Sequence, residues 1–436
     1  MSNGVSAPQT RRFVRKREAI LDAAAREFNR SGVKGATLAG VAQSVGLITN
    51  SITYYYRRKE DLASACFLRA TGVITALAQE AAGAQSLALR VKHFVHGWYA
   101  IQRDIALQAR PELVSFNEVR ALPPSYAGAV FEAYNDMFRA VRALIGQPEP
   151  GGLDRTELNA RTHLLLSLTM WGRILARRYE PNDYDLLARR VCDILLEGLA
   201  GPRSTWRESN AAPDVSPSLD AAAAAAGASL HTSTDGAAQD FLRAATALIN
   251  EQGYRGASVE RISARLNVTK GSFYHHHDNK DDLVWACFEH TFATIRLAHA
   301  QASAQPGSGW ERLLHVSRGL VRHQLSAQGP LLRITAWSAL PPELRRVTLH
   351  TLDCLTEKFG AFVVDGIIDG SIRALDPAVA AQLVSAMINA AAELPVWVRD
   401  IDETRAAALF ARPLLLGLAC PPYADSGRRR AARATA

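Results

Sequence analysis

Apolar residues recur at spacings of three and four along nearly the whole chain, and alternating β-branched runs are few. That periodicity predicts helices rather than strands. In "LDAAAREF" a leucine, the alanines and Phe28 share one face. "DYDLLARRVCDILLEGLAG" repeats the pattern and ends at glycine, as a helix C-terminus favours. Pro111, Pro123–Pro124, Pro181, Pro330 and Pro341–Pro342 punctuate the helices. The expected fold class is all-α.

The pattern occurs twice. Ile20 to Ala70 aligns without a gap on Phe241 to Thr291, at an offset of 221, with 14 of 51 positions identical. Shorter echoes follow. "RALPPSY" is answered by "SALPPEL" at offset 218, and "LLEGLAGP" by "LLLGLACP" at offset 219. Such self-similarity indicates a duplicated unit of about 200 residues. "GPRSTWRESNAAPDVSPSLDAAAAAAGASLHTSTDGAA" between the copies is rich in Ala, Ser, Pro and Gly and reads as a linker. The expected divisions are a first head at 1–75, a first helical C-terminal domain at 85–200 and a linker at 201–237. A second head follows at 238–297, a second helical domain at 305–420 and a basic tail at 421–436.

The chain has 436 residues, 48% of them hydrophobic, enough for several cores. Its formal net charge of +8 favours acidic partners. The charge is uneven: Met1 to Cys66 carries 11 basic and 5 acidic residues, whereas Ala237 to Phe288 carries six of each. Five cysteines lie scattered with no C-x-x-C pair, which suggests buried free thiols. No apolar run approaches the roughly 20 residues needed to span a bilayer, and the N-terminus has charge without an apolar core. A cytoplasmic location with no membrane partner is expected.

Each head follows helix-turn-helix grammar. A helix from Phe13 to Arg30 stops before Gly32, Thr37 caps "LAGVAQSVG", and a turn at Gly46 leads to a third helix from Thr49 to Tyr56. The small Ala42 lets the two helices cross closely. In the second head Ser258, Ser263 and Asn267 take the same three roles.

Both heads resemble the DNA-binding domain of the tetracycline-repressor (TetR) family. The family signature, Gly–x–apolar–Tyr–x–His–Phe–x–x–Lys, is matched by "KGSFYHHHDNKDDL" at Gly271, Phe273, Tyr274, His276 and Lys280, with His277 in place of phenylalanine. "TNSITYYYRRKEDL" is looser. Thr53 replaces the motif tyrosine, Tyr55 replaces histidine, Tyr56 fills the aromatic place and Lys59 matches. The resemblance covers about 50 residues per head. It implies two tandem TetR-like units, each a helix-turn-helix head plus a helical ligand and dimerisation domain, packed as an intrachain pseudo-dimer.

Physical chemistry gives the mixed run "TNSITYYYRRKEDL" its meaning. Residues on a helix step by about 100°, so neighbouring tyrosines diverge. Ile52 and Tyr56 should pack inward, while Thr49, Asn50, Thr53 and Tyr54 face the major groove. Asparagine can pair with adenine, threonine's methyl can touch thymine's, and tyrosine hydroxyls can bond phosphates. Arg57, Arg58 and Lys59 open the fourth helix, where free N–H groups favour a phosphate and Glu60 and Asp61 suit the dipole. The expected DNA contacts of the first helix-turn-helix, 37–56, are Lys34, Thr37, Thr49, Asn50, Ser51, Thr53, Tyr54, Tyr55 and Lys59. Those of the second, 258–277, are Ser258, Thr269, Lys270, Gly271, Ser272, Tyr274, His275, His276 and Lys280. "RRFVRKR" can track phosphates or enter a minor groove, or serve as a disordered solubilising arm. His275 to His277 diverge around a helix, so no metal is expected, nor any cofactor.

The resemblance further implies a repressor of transcription that binds double-stranded DNA and releases it when a small-molecule effector binds between helices. Two different recognition helices, about 34–36 Å apart, predict an asymmetric operator. Two chains on one long site stay open. The expected pocket residues are Trp98, Phe116, Trp171, Trp337 and Trp397. No G-x-S-x-G, H-E-x-x-H or P-loop occurs, so an enzyme is not expected. The alternative is a helical protein-interaction adaptor with one or both heads vestigial.

Overall fold

The computed structural model describes residues 11–116, 119, 122–146, 152–206, 236–254, 257–265 and 279–423. Among them the architecture is helical throughout, with a single isolated antiparallel bridge between Ala200 and Ile372. The first unit consists of α1 (Arg11–Gly35), α2 (Leu38–Ser44), α3 (Thr49–Thr53), α4 (Lys59–Ala82), α5 (Leu87–Ala106), α6 (Pro124–Ile145), α7 (Arg155–Leu175) and α8 (Tyr184–Glu197). In the second unit α9 (Gly236–Gln252) and α10 (Val259–Arg265) precede α11 (Lys280–Ala304), α12 (Gly309–Leu325), α13 (Pro342–Ile368) and α14 (Pro377–Ala391). A short turn, α15 (Leu394–Trp397), leads to a last helical run, Glu403–Leu416, that includes a π-turn at Ala407–Ala411.

Matched caps start matched helices. Lys59 and Lys280 open α4 and α11 at the offset of 221. Ser86 caps α5 by accepting from Leu89 N, and Ser308 caps α12 by accepting from Glu311 N. Proline opens both α6 and α13, where its missing N–H costs nothing. Helix by helix, the repeat thus runs well past the heads.

The small cores follow the sequence pattern. Ile20, Phe28, Val41, Ile52, Leu62 and Phe67 are buried together under the first head. Phe241, Ile249, Ile262, Leu283 and Phe288 form a separate core under the second. The helical bodies of both units share one continuous core with the first head. By length and mean hydropathy (1.3), α4 would suffice to cross a bilayer, which corrects the expectation that no segment comes near that length. Its apolar side is spent inside the protein, on α1, α5 and α6.

The two bodies pack through equivalent elements. Helix α7 lies against α14, its counterpart in the repeat, and the end of α8 meets the end of the Glu403–Leu416 run. Trp171 Nε1 donates to Gln382 Oε1 at 3.3 Å, and His163 Nε2 lies 3.0 Å from the Ala390 carbonyl. Leu199 N donates to Leu415 O and Leu418 N to Leu195 O, each at 2.8 Å, a nearly reciprocal exchange. Arg161, buried to 2% exposure, donates to the carbonyls of Leu418 and Pro421, which holds the last residues of the second unit onto α7. Ion pairs Arg190–Asp376 (2.6 Å) and Arg373–Asp193 (2.8 Å) flank this seam.

Four cysteines are buried free thiols, and burial pushes Cys66, Cys192 and Cys287 up to about 12. Cys354 is exposed, a correction to the expectation that all five are buried.

Candidate nucleic-acid interface and central cavity

In the first head Thr37 caps α2, its side-chain oxygen accepting from Gly40 N at 3.0 Å. Gly46 takes the left-handed turn (φ 66°), and Ala42 is buried at the helix crossing. Helix α3 is shorter than its pattern suggested. It ends at Thr53, and Tyr54 to Tyr56 leave as a turn. Tyr55 and Tyr56 N–H both still donate to the Ile52 carbonyl at 2.9 Å, so the chain stays tightly wound.

The side chains sort clearly. Ile52 is fully buried and Tyr56 half-buried; burial raises the Tyr56 hydroxyl above its ordinary range. Lys34, Thr37, Thr49, Asn50, Arg57 and Arg58 are exposed, and Tyr54 is 75% exposed. Ser51, Thr53, Tyr55 and Lys59 are half-buried. Thr53 Oγ1 donates to the Asn50 carbonyl at 3.0 Å. Tyr54 and Tyr55 stand edge to face at 5.2 Å, and Phe13 packs on Tyr55 at 4.8 Å.

That aromatic contact decides what "RRFVRKR" is. The segment forms the opening turns of α1, so it is neither an extended arm nor a disordered one. Phe13 fixes it beside α3, and Arg11, Arg12, Arg15, Lys16 and Arg17 remain exposed on a helical ridge. A rigid basic ridge beside an exposed polar helix can bind a phosphate backbone while the helix meets base edges.

Lys59 does something the pattern did not announce. Its ammonium donates to the Lys34 carbonyl at 3.1 Å, which ties the start of α4 to the turn before α2. Lys280 makes the corresponding bond to the Tyr254 carbonyl and lies 4.1 Å over the Tyr254 ring. The motif lysine therefore clamps the head in both units, and at Lys59 two of the three N–H groups remain for a phosphate.

Of the second-head residues, Ser258 is half-buried and caps α10, accepting from Arg261 N at 3.3 Å. Ser263 and Ala257 are buried like their counterparts Ala42 and Ala36. Asn267, Thr269, Lys270, Gly271, Ser272, Tyr274, His275, His276 and His277 lie outside the described residues.

A matched pair of asparagines, missed by sequence reasoning, holds each head to its body. Asn29 donates to Leu113 O and accepts from Ser115 N at 2.9 and 2.8 Å. Asn250 donates to Leu331 O and accepts from Arg333 N, both at 2.9 Å. These asparagines are one of the 14 identities of the repeat, so the signal was present. Asn29, Gly32, Asn250 and Gly253 line one small gap of about 60 Å³, so the two heads meet there through equivalent positions.

Below the heads a cavity of about 380 Å³ opens between the units. Trp98, Phe116, Trp171, Trp337 and Trp397 all line it. These five residues come from both halves of the chain, and the structure joins them around one space. Arg173, Arg177, Arg178 and Arg333 line it too, unforeseen because nothing in their local pattern separates them from solvated charge.

Two heads, the first with an exposed polar helix beside a basic ridge, define a helix-turn-helix DNA-binding protein. The family model described as "Bacterial regulatory proteins, tetR family" matches residues 20–66 and again 241–287. Both heads are of that family, and the chain is a DNA-binding regulator with two such units in tandem. It is 28% identical over 153 residues to the Transposon Tn10 TetC protein of Escherichia coli, covering 34% of this chain and 74% of that protein. It is 38% identical over 48 residues to the biofilm operon icaADBC HTH-type negative transcriptional regulator IcaR of Staphylococcus epidermidis, covering 11% of this chain and 26% of that one. Among solved structures, the TetR family transcriptional regulator PfmR from Thermus thermophilus covers 41% of this chain and 99% of its own, with 23% identity and a TM-score of 0.35. AibR in complex with isovaleryl coenzyme A and operator DNA covers 43% and 100%, with 20% identity and a TM-score of 0.35.

Proposed function

We propose that this chain is a transcriptional repressor that works as a covalent pseudo-dimer, each head reading one half of an asymmetric operator, and that a small-molecule effector releases it. The observation that carries the reading is the pairing of equivalent elements. The heads face each other across the Asn29–Asn250 gap, and α7 packs on α14. One chain thereby supplies what two subunits supply in a symmetric dimer. The recognition segments differ, "TNSITYYY" against "TKGSFYHHH", so the half-sites should differ.

Release follows from where the cavity sits. Ala70 and Ile74 of α4 line it, and α4 begins at the Lys59 clamp on the head. An occupant that shifts α4 shifts the head, and binding in one head position only would change DNA affinity. The protein acts in the cytoplasm in this reading, and it needs no catalytic group.

The test is a footprint and gel shift of the full chain on DNA upstream of its own coding sequence. One protected site with two unequal halves is expected. A folded chain that binds no DNA at low salt would instead support the adaptor reading.

A further inference from the structure

The duplication has left the central cavity chemically two-sided, and this inference about its ligand rests on the effector reading above. Arg177 and Arg178 follow α7 in the first unit, as Val396 and Trp397 follow α14 in the second. All four line the cavity. On the α6 wall, Trp397 stacks on Phe138 at 3.7 Å, nearly parallel, and on Tyr134 at 5.8 Å. On the α13 wall stands Arg178, which pairs with Asp353. Phe138 and Tyr134 are answered there by Thr356 and Leu352. One wall is thus a stack of flat rings, and the other carries charge.

The charges do not cancel. Four guanidiniums line the space. Arg173 pairs with Glu112, Arg178 with Asp353 and Arg333 with Glu393. Arg177 is exposed at one side of the space and has no ion-pair partner among the described residues. A cavity of about 380 Å³ falls in the range of roughly 300–1,000 Å³ typical of small-molecule sites. The nearest separate space in the second unit, lined by Thr291, Leu320 and Phe359, is about 30 Å³, the room of one water.

We propose that the cavity takes one amphipathic monoanion per chain, its flat apolar body on the Trp397–Tyr134 wall and its acid group on Arg177. One cation without an ion-pair partner matches a ligand charge of minus one, since a charge-assisted bond to Arg177 favours an acid over a neutral group and a second ligand charge would face apolar surface. The asymmetry of the walls also fixes one orientation, which a symmetric dimer's central cavity could not do.

The full chain is titrated with 2-naphthoate and with its neutral isostere 2-naphthamide. Quenching of the cavity tryptophans reads binding, and calorimetry reads stoichiometry. One naphthoate per chain is expected, bound about tenfold or more tighter than the amide, as a charge-assisted bond implies. Arg177→Gln should bring the two compounds within about twofold, while Arg177→Lys keeps the preference for the acid. Trp397→Leu should weaken both alike. Equal binding of acid and amide, two acids per chain, no binding of either, or an acid preference that survives Arg177→Gln overturns the proposal. Naphthoate that binds with acid preference yet leaves DNA affinity unchanged defeats the effector reading and leaves the ligand assignment standing.

Discussion

Gly198 and Gly417, the same glycine of the two repeats, lie where the two units cross so closely that a side chain on either would strike the backbone of the other. A Cβ on Gly198 would lie 2.6 Å from Gly417 N, and one on Gly417 would lie 2.2 Å from Leu196 O. Both have positive φ, 67° and 92°. Each follows a helix, and each lets its chain turn across the other while the Leu199–Leu415 and Leu418–Leu195 bonds close the seam.

Gly198→Ala or Gly417→Ala should therefore destabilise the chain by at least about 2 kcal/mol, from strain at positive φ added to backbone overlap. Gly128→Ala is the control. It lies exposed in α6 with open space around it, and should stabilise by about 0.5–1 kcal/mol. Urea unfolding midpoints at constant m separate the two outcomes. A neutral Gly198→Ala would contradict the crossing.

Within α3, burial and exposure predict opposite phenotypes. Ile52→Ala should cost about 2–5 kcal/mol of stability, because the side chain is fully buried. Tyr54→Ala should leave stability within about 0.5 kcal/mol and weaken DNA binding, since the ring is 75% exposed. Thermal unfolding together with gel shift checks the pair. Equal losses of stability would show that Tyr54 is structural.

Lys34→Ala should lower the salt slope of DNA binding by about one for the phosphate it neutralises. Lys59→Ala should do the same and, in addition, lose about 1 kcal/mol of stability with the bond to the Lys34 carbonyl. Affinity measured between low and moderate salt gives the slopes. Slopes unchanged in both variants would remove these lysines from the interface.

His299 gives the acid limb a defined source. Burial holds its imidazole down to about 3, and the ring stands edge-on to Phe359 at 4.5 Å. The unfolded chain protonates this group near its ordinary value of about 6.5 and the folded chain does not. The unfolded state therefore binds more protons between those limits, and stability falls as pH drops through that window, by up to about 1.4 kcal/mol per pH unit. Above about 6.5 the contribution is flat. His299→Leu should flatten unfolding free energy against pH between about 6 and 4; an unaltered slope would assign the acid limb to other groups.

Much of this molecule was written locally. The helical period, the threonine and serine caps, the glycine turn at Gly46 and the burial of Ile52 are short-range consequences of residue type, and the gapless repeat announced two tetR-type heads before any coordinates. Asn29 and Asn250, and Gly198 and Gly417, were visible as shared letters, but their partners lie far along the chain, and only packing gives them a role. The same holds for "RRFVRKR": its charge was legible, whereas its place beside α3 depends on Phe13 meeting Tyr55. Separation of the cavity's walls was least legible of all. Arg178 and Trp397 look like ordinary surface and core residues until α7 meets α14 and turns the segments that follow both helices toward one space. Period and capping depend on neighbours within a turn or two of helix. Cavities, charge balance and the crossing of two glycines depend on surfaces that only the folded pair of units brings together.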